Sequence, residues 1–245
     1  MLLLVLAGLA AGLAGSIAGL ASLISYPALL AVGLAPVAAN VTNTVALVFS
    51  GIGSALGSRP ELQGAGPRVR RLAPAAVLGG VVGCLLLLGT PPGAFERIVP
   101  WLIGLASLAI LLQPRPVEFH GRLHRPVDSW MVCAGVFLVG IYGGYFGAAA
   151  GVILLALLAS TGETLARSNA VKNAVLALAN GIAALGFILF GPVQWVAVLP
   201  LSLGFLAGGR LGPAVVRRSP ARLLRAVIAV AGIAVAIRLG VEAYG

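Results

Sequence analysis

Two short runs of small residues decide how this chain folds: GSIAGLAS at residues 15–22 and GGYFGAAAG at residues 143–151. Each run follows one apolar segment and precedes a second that is shorter than the roughly 20 residues a helix needs to cross a bilayer. Small residues also let other groups approach the backbone closely. Each run therefore predicts a broken helical hairpin that enters and leaves the membrane on one side.

The composition is that of an integral membrane protein. Of the 245 residues, 60% are hydrophobic and only 9% are charged, with a mean hydropathy of +1.09. A soluble domain of this length needs about a quarter of its residues charged. The net charge of +10 does not indicate nucleic-acid binding, because arginine collects in cytoplasmic loops of membrane proteins and no basic patch carries interleaved aromatic residues. We expect a multi-pass protein of the cell (inner) membrane that binds no nucleic acid.

The chain contains the same pattern twice. Shared residues recur 126 to 129 positions apart, including the pairs Gly12/Gly140, Gly19/Gly147, Asn40/Asn169, Pro74/Pro200 and Gly83/Gly209. Each half divides into five hydrophobic segments, at 2–19, 21–33, 38–57, 72–90 and 95–113, and at 129–147, 149–161, 165–190, 193–212 and 220–240. We predict an all-α polytopic membrane protein with a first transmembrane repeat (1–113), a cytoplasmic linker (114–128) and a second, inverted transmembrane repeat (129–245).

The distribution of arginine predicts the inversion. The loop after the third segment of the first repeat is rich in arginine, whereas the matching loop of the second repeat, GPVQW, has no charge. With inverted repeats, thirteen of the fifteen arginines face the cytoplasm, as the positive-inside rule requires, and both termini lie outside. The apolar start MLLLVLAGLAAGLAG lacks the basic region of a signal peptide and matches the second repeat, so we expect it to form the first helix.

A polar cluster opens the third segment of each repeat: AANVTNTVALVFSG at 38–51 and RSNAVKNAVLALAN at 167–180. Inverted repeats are typical of secondary transporters, whose substrate sites lie near the bilayer midplane where the halves meet. Helix N-termini, amides, hydroxyls and one ammonium together suit an anion with several acceptor oxygens. The predicted substrate site combines both clusters with the two tyrosines beside the second break: Asn40, Asn43, Thr44, Tyr142, Tyr145, Asn169, Lys172, Asn173 and Asn180.

These residues also have structural alternatives. Asn40 and Asn169 are candidates for helix N-caps, and Thr44 is placed to bond its own helix. Lys172 could extend to the cytoplasmic surface as a snorkelling side chain, and Asn180 could join two helices. The two tyrosines could simply pack at the break.

Enzymatic chemistry has no support in the sequence. All six acids lie in loops or at helix ends, and neither HExxH, GxSxG nor a phosphate-binding loop occurs. Cys84 and Cys133 lie in separate apolar segments, and both histidines fall in the predicted linker. We expect no catalytic residue, no metal and no cofactor. An intramembrane carboxylate, the usual sign of proton or sodium coupling, is also absent from the sequence.

Five segments carry a resemblance to a known family. They are GLAAGLAGSIAGLASLISYP and APVAANVTNTVALVFSGIGSALG in the first repeat, and GIYGGYFGAAAGVILLALL, RSNAVKNAVLALANGIAALGF and LPLSLGFLAGGRLG in the second. Through them the chain resembles the sulfite exporter TauE/SafE family of bacterial membrane transporters. The second repeat keeps the glycine-rich hairpin and the N-x-x-K-N helix start, whereas the first lacks the usual glycine run. The resemblance implies export of sulfite or an organosulfonate.

Two other functions stay open at this stage. One is an anion channel or facilitator driven by the membrane potential, and the other is a non-transporting membrane subunit. Saturable flux with counterflow would distinguish a carrier from a pore. The expected partners are a small anionic substrate and the lipid bilayer, and a homodimer is left open.

Overall fold

The computed structural model describes residues 1–112, 129–216, 230, 233–241 and 243. The predicted linker at 114–128 and much of the last predicted segment, 220–240, lie outside these residues. Within them no strand occurs, and residues 233–241 are helical. The prediction of an all-α membrane protein is confirmed.

The helices follow the predicted apolar segments closely. The first half contains α1 (Leu2–Ala18), α2 (Ser22–Ala31), α3 (Pro36–Gly57), α4 (Arg59–Leu62), α5 (Gly66–Gly89) and α6 (Pro92–Leu112). The described part of the second half contains α7 (Trp130–Tyr145), α8 (Ala150–Ala159), α9 (Leu165–Phe190) and α10 (Trp195–Val216). The short helix α4 was not predicted from the sequence.

Local signals explain where these helices begin. α3 starts at Pro36, which suits the first helical turn because proline has no N–H to donate. α9 starts after Thr164, whose hydroxyl accepts a hydrogen bond from the Arg167 backbone N–H at 3.4 Å. α5 starts at Gly66 rather than at residue 72, because Pro67 fits its first turn and the arginines that follow are good helix formers.

Both hairpin breaks are visible as helix boundaries. α1 ends before Gly19, whose φ is 77°, and α7 ends before Gly147, whose φ is 76°. Glycine adopts this left-handed conformation without the clash that a Cβ would cause. α2 and α8 have ten residues each. At about 1.5 Å per residue such a helix covers about half of the hydrocarbon thickness.

The two halves interlock. α1 packs against α10 and α7 against α5, while α3 packs on α10, α5 packs on α9, and α3 and α9 meet each other. Exchanging the halves converts the α1–α10 contact into the α7–α5 contact and the α3–α10 contact into the α9–α5 contact, and it leaves the α3–α9 contact unchanged. Glycines allow the helices to approach this closely. A Cβ added at Gly8 would lie 2.3 Å from the Leu201 carbonyl oxygen, and one added at Gly79 would lie 2.3 Å from the Phe137 carbonyl oxygen.

The outer surface is apolar and suits lipid. Four described helices, α3, α5, α9 and α10, are long and apolar enough to cross a membrane. Large aliphatic side chains on several helices are 63% to 71% exposed, among them Leu85, Leu138, Leu189, Leu199 and Leu203. The chain is therefore a multi-pass membrane protein.

Cysteine accessibility will test the inverted topology, which stays a prediction. In a chain whose two native cysteines are replaced by serine, we expect a membrane-impermeant maleimide to label Gln194→Cys, in the matching loop between α9 and α10 of the second repeat, in right-side-out membrane vesicles. Gln63→Cys, between α4 and α5, should react only after permeabilisation. Both positions are exposed. Labelling of both positions from one side would contradict the inversion.

Candidate functional site

The two hairpin breaks touch each other in the interior. An added Cβ at Gly19 would lie 2.4 Å from the Cα of Gly151, and one at Gly151 would lie 2.4 Å from the Cα of Gly19. Because the backbones are in direct contact, the first residues of α2 and α8 lie close to a common point. This point is where the two halves of the chain meet.

A cavity of about 60 Å³ lies beside this contact. One water molecule needs about 10–15 Å³ measured in this way, so the cavity has room for several water-sized groups. The lining comes from both halves: Gly15, Gly19, Ala21, Ser22, Leu47, Ser50, Gly51, Ser54, Gly147, Ala150, Gly151, Asn173, Leu176, Ala177 and Asn180. It contains hydroxyls, amides and small residues, and no carboxylate.

The cavity lies where equivalent positions of the two repeats face each other. Four pairs of lining residues are related by the sequence repeat: Gly19/Gly147, Ser22/Ala150, Leu47/Leu176 and Gly51/Asn180. Two of the four pairs differ in polarity, because Ser22 is paired with an alanine and Asn180 with a glycine. An internal pseudo-symmetric cavity is the expected position of a substrate site in a transporter built from repeats.

Two helix N-termini contribute to the electrostatics of the cavity. Ser22 is the first residue of α2 and Ala150 the first of α8, and both line the cavity. The first N–H groups of a helix have no acceptor within it and carry a partial positive charge. Together with the polar side chains, they favour an anion.

Ser22 is held in place by a hydrogen-bond chain. The Ser25 hydroxyl donates to Asn43 Oδ1 at 2.6 Å, and Asn43 Nδ2 donates to Ser22 Oγ at 3.1 Å. Ser22 Oγ therefore accepts a hydrogen bond from Asn43, and the hydroxyl hydrogen of Ser22 is not used in this bond. Asn43, predicted to contact substrate, is fully buried and acts here by orienting Ser22.

Lys172 is fully buried against the end of α1. Its Nζ donates to the carbonyl oxygens of Gly15 at 3.1 Å and Ser16 at 3.5 Å, and to Asn169 Oδ1 at 2.8 Å. A cation at a helix C-terminus is stabilised by the helix dipole. The side chain thus does not extend to a membrane surface. It lies next to the cavity, since Gly15 and the adjacent Asn173 both line it.

Equivalent asparagines bind the opposite half. Asn169 Nδ2 donates to the Ser16 carbonyl oxygen at 2.9 Å, near the end of α1. Asn40 Nδ2 donates to the Tyr145 carbonyl oxygen at 2.8 Å, at the end of α7. Each amide therefore caps the first helix of the other repeat rather than its own helix.

The other predicted residues are divided between the cavity wall and its support. Asn173 and Asn180 line the cavity, and Asn173 Nδ2 also reaches the Ser16 carbonyl oxygen at 3.4 Å. The Thr44 hydroxyl donates to the carbonyl oxygen of Asn40 in its own helix at 3.0 Å. These contacts leave Asn173 and Asn180 as the predicted residues that face the cavity directly.

Both tyrosines brace the second break. The Tyr142 hydroxyl donates to the Ala148 carbonyl oxygen across the break, and the Tyr145 hydroxyl donates to Thr90 Oγ1 at 3.4 Å. Tyr145 also packs on Phe95, with ring centroids 5.8 Å apart. In this conformation they support the hairpin without lining the cavity.

Sequence reasoning missed three hydroxyls that line the cavity: Ser22, Ser50 and Ser54. Ser50 could have been found from the sequence repeat. The predicted site residue Asn180 corresponds to Gly51 in the first repeat, and Ser50 is the neighbour of Gly51. In the described part of the chain, no three His, Cys, Asp or Glu side chains come together as a metal site requires.

Comparison with known proteins agrees with a membrane-transporter assignment. A family profile described as "Sulfite exporter TauE/SafE" matches residues 4–239. The chain belongs to the TauE/SafE family. It is a membrane transporter of this family, and no solved structure matches it significantly.

The chain is also similar to three proteins that are named as probable membrane transporters. The probable membrane transporter protein YfcA of Escherichia coli (strain K12) is 28% identical over 91% of this chain and 83% of its own. The probable membrane transporter protein ORF9 of Sinorhizobium sp is 29% identical over 89% and 83%. A probable membrane transporter protein of Haemophilus influenzae is 24% identical over 85% and 82%.

Proposed function

We propose that this TauE/SafE protein exports a small sulfur-containing anion, sulfite or an organosulfonate, across the inner membrane. The observation that carries the proposal is the interior cavity at the contact between the hairpin breaks. Its lining combines two helix N-termini with the donors Ser22, Asn173 and Asn180. Such a lining compensates an anion for the water it loses on entering the membrane.

Lys172 supplies the full positive charge beside this lining. Its ammonium binds the carbonyl of Gly15, a cavity residue, and the following residue, Asn173, faces the cavity. An anion in the cavity would therefore lie near a buried cation that is already held by hydrogen bonds. The attraction between the two charges is strong because the surroundings are apolar.

The contacts between the halves indicate how access could alternate. Asn169 and Lys172 hold the end of α1, while Asn40 holds the end of α7. Movement of one repeat against the other would exchange these contacts and open the cavity toward the opposite side. The membrane potential alone is worth about 2.3 kcal/mol per charge per 100 mV, so export of an anion needs no intramembrane acid.

Flux in proteoliposomes will test the function. Purified wild-type protein should transport radiolabelled sulfite with saturation and counterflow. The double variant Asn173→Leu/Asn180→Leu should lose most of this flux, because the substitutions remove both amide groups from the cavity lining. A matched control is Leu178→Ala/Leu185→Ala on the outer face of α9, where the two leucines are 40% and 57% exposed. It should transport normally. Absence of sulfite and sulfonate flux in the wild type would refute the proposal, and non-saturable flux would identify a channel.

A further inference from the structure

The ends of α1 and α7 are bonded unequally by the opposite repeat. At the end of α1, the Ser16 carbonyl oxygen accepts hydrogen bonds from two asparagine amides and from the Lys172 ammonium. At the end of α7, the Tyr145 carbonyl oxygen accepts one hydrogen bond, from Asn40 Nδ2 at 2.8 Å. In the part of the chain that the structure describes, no other donor reaches this oxygen. The end of α7 therefore lacks the positive charge that lies at the end of α1.

The sequence repeat explains this difference. Lys172 lies 129 positions after Asn43, and Asn169 lies 129 positions after Asn40. The first repeat thus has an amide at the position where the second has an ammonium. The Asn43 side chain bonds two serines of α2 and makes no contact with the end of α7.

Asn40 keeps a buried oxygen without a partner. Its side chain is 0% exposed, and its Oδ1 has no hydrogen-bond donor among the described residues. The equivalent oxygen of the second repeat, Asn169 Oδ1, accepts from Lys172 Nζ at 2.8 Å. An acceptor buried without a partner costs free energy, and water cannot relieve that cost inside a membrane. The unpaired oxygen thus lies where the other repeat has a cation.

The last carbonyl oxygens of α7 make this position more negative. The backbone N–H groups of Phe146 and Gly147 both donate to the Tyr142 carbonyl oxygen. Within the described residues, no backbone N–H donates to the carbonyl oxygens of Gly143 and Gly144. The C-terminus of a helix carries a partial negative charge and attracts cations.

We propose that the end of α7 binds an alkali-metal cation, with Asn40 Oδ1 and the Tyr145 carbonyl oxygen among its ligands. The ion takes the place that the Lys172 ammonium has in the other repeat. A carbonyl oxygen has two lone pairs, so that of Tyr145 can bind the ion and the Asn40 amide together, as that of Ser16 accepts from an amide and an ammonium.

The chemistry of the ligands favours a monovalent ion. Ca²⁺ and Mg²⁺ are bound largely through carboxylates, whereas the ends of interrupted helices bind Na⁺ in transporters with neutral oxygens. The expectation of no metal rested on the lack of acidic, histidine and cysteine ligands, and it does not cover a site of neutral oxygens. The inference goes beyond the proposed function and does not depend on which anion is transported.

Thermal unfolding will test whether the cation binds. Purified protein without any sulfur anion is melted in choline chloride, in NaCl and in KCl at the same ionic strength. We expect Na⁺ or K⁺ at a saturating concentration to raise the melting temperature by roughly 5 °C or more relative to choline. Equal melting temperatures in the three salts would overturn the proposal.

Asn43→Lys tests where the ion binds. It places a tethered ammonium at the repeat equivalent of Lys172, so the shift caused by Na⁺ or K⁺ should be lost. Asn43→Met is the matched control, because methionine has a similar length and no charge, and it should keep the shift. Both variants lose the bonds to the serines of α2, so a general loss of stability affects them alike. A full shift in Asn43→Lys would overturn the proposal.

Asn40→Leu and Asn169→Leu provide a second comparison. Each removes one amide that bonds the opposite repeat, so both variants should melt below the wild type in choline chloride. Only Asn40→Leu should lose the shift caused by the cation, and equal shifts in the two variants would contradict the role of Asn40 as a ligand. Sulfite flux in a wild type without any cation shift would refute the cation site alone. A cation shift in a wild type that transports neither sulfite nor a sulfonate would support the cation site and refute the proposed function.

Discussion

Gly19→Ala is expected to destabilise the protein by several kcal/mol, and Gly151→Ala somewhat less. In either variant the new Cβ would lie 2.4 Å from a backbone Cα of the opposite hairpin. The helix ends cannot separate without moving the N-terminus of α2 or α8 away from the cavity. Overpacking of this kind costs about 1–3 kcal/mol, and the left-handed backbone at Gly19 adds roughly 1–2 kcal/mol.

Gly33→Ala separates the two contributions. Gly33 also has a left-handed backbone, with a φ of 91°, but an added Cβ there meets no atom within 4 Å. Melting temperatures measured by size-exclusion chromatography of heated detergent samples should fall least for Gly33→Ala, more for Gly151→Ala and most for Gly19→Ala. An equal fall for Gly33→Ala and Gly19→Ala would show that backbone strain, and not the contact between the hairpins, determines the loss.

Lys172→Gln is expected to weaken sulfite binding by roughly tenfold or more, because it removes the buried positive charge beside the cavity in apolar surroundings. The substitution also removes the donor that binds the Gly15 and Ser16 carbonyl oxygens, so the melting temperature should fall. Lys172→Arg keeps the charge with a different shape and should recover part of the affinity. Isothermal titration and thermal unfolding together measure both effects.

A charge-matched control identifies the role of the ammonium. Arg70→Gln removes one positive charge from an exposed position at the start of α5 and should bind sulfite normally. If Lys172→Gln melts at a lower temperature but binds sulfite as tightly as the wild type, Lys172 acts only as a cap of α1. The substrate would then be held by neutral donors and helix N-termini alone.

The class of the protein and its helices were determined by the sequence alone. These features depend on local properties of the sequence. They are whether an apolar segment is long enough to cross the bilayer, how few residues are charged, and where the glycines of the two breaks lie. The segment predicted at 165–190 is helix α9 with the same bounds, and the second segment of each half is a ten-residue helix. The family also follows from sequence, because its motifs extend along almost the whole chain.

The roles of the polar side chains were decided only by the tertiary structure. Asn40 and Lys172 look equally suited to a ligand in sequence, yet they bind the carbonyl oxygens of Tyr145 and Gly15, which are 105 and 157 positions away. Ser50 and Ser54 look like ordinary helix residues, yet they line the cavity. A hydrogen bond between the halves depends on how α1, α3, α7 and α9 pack together, and no local pattern encodes that packing.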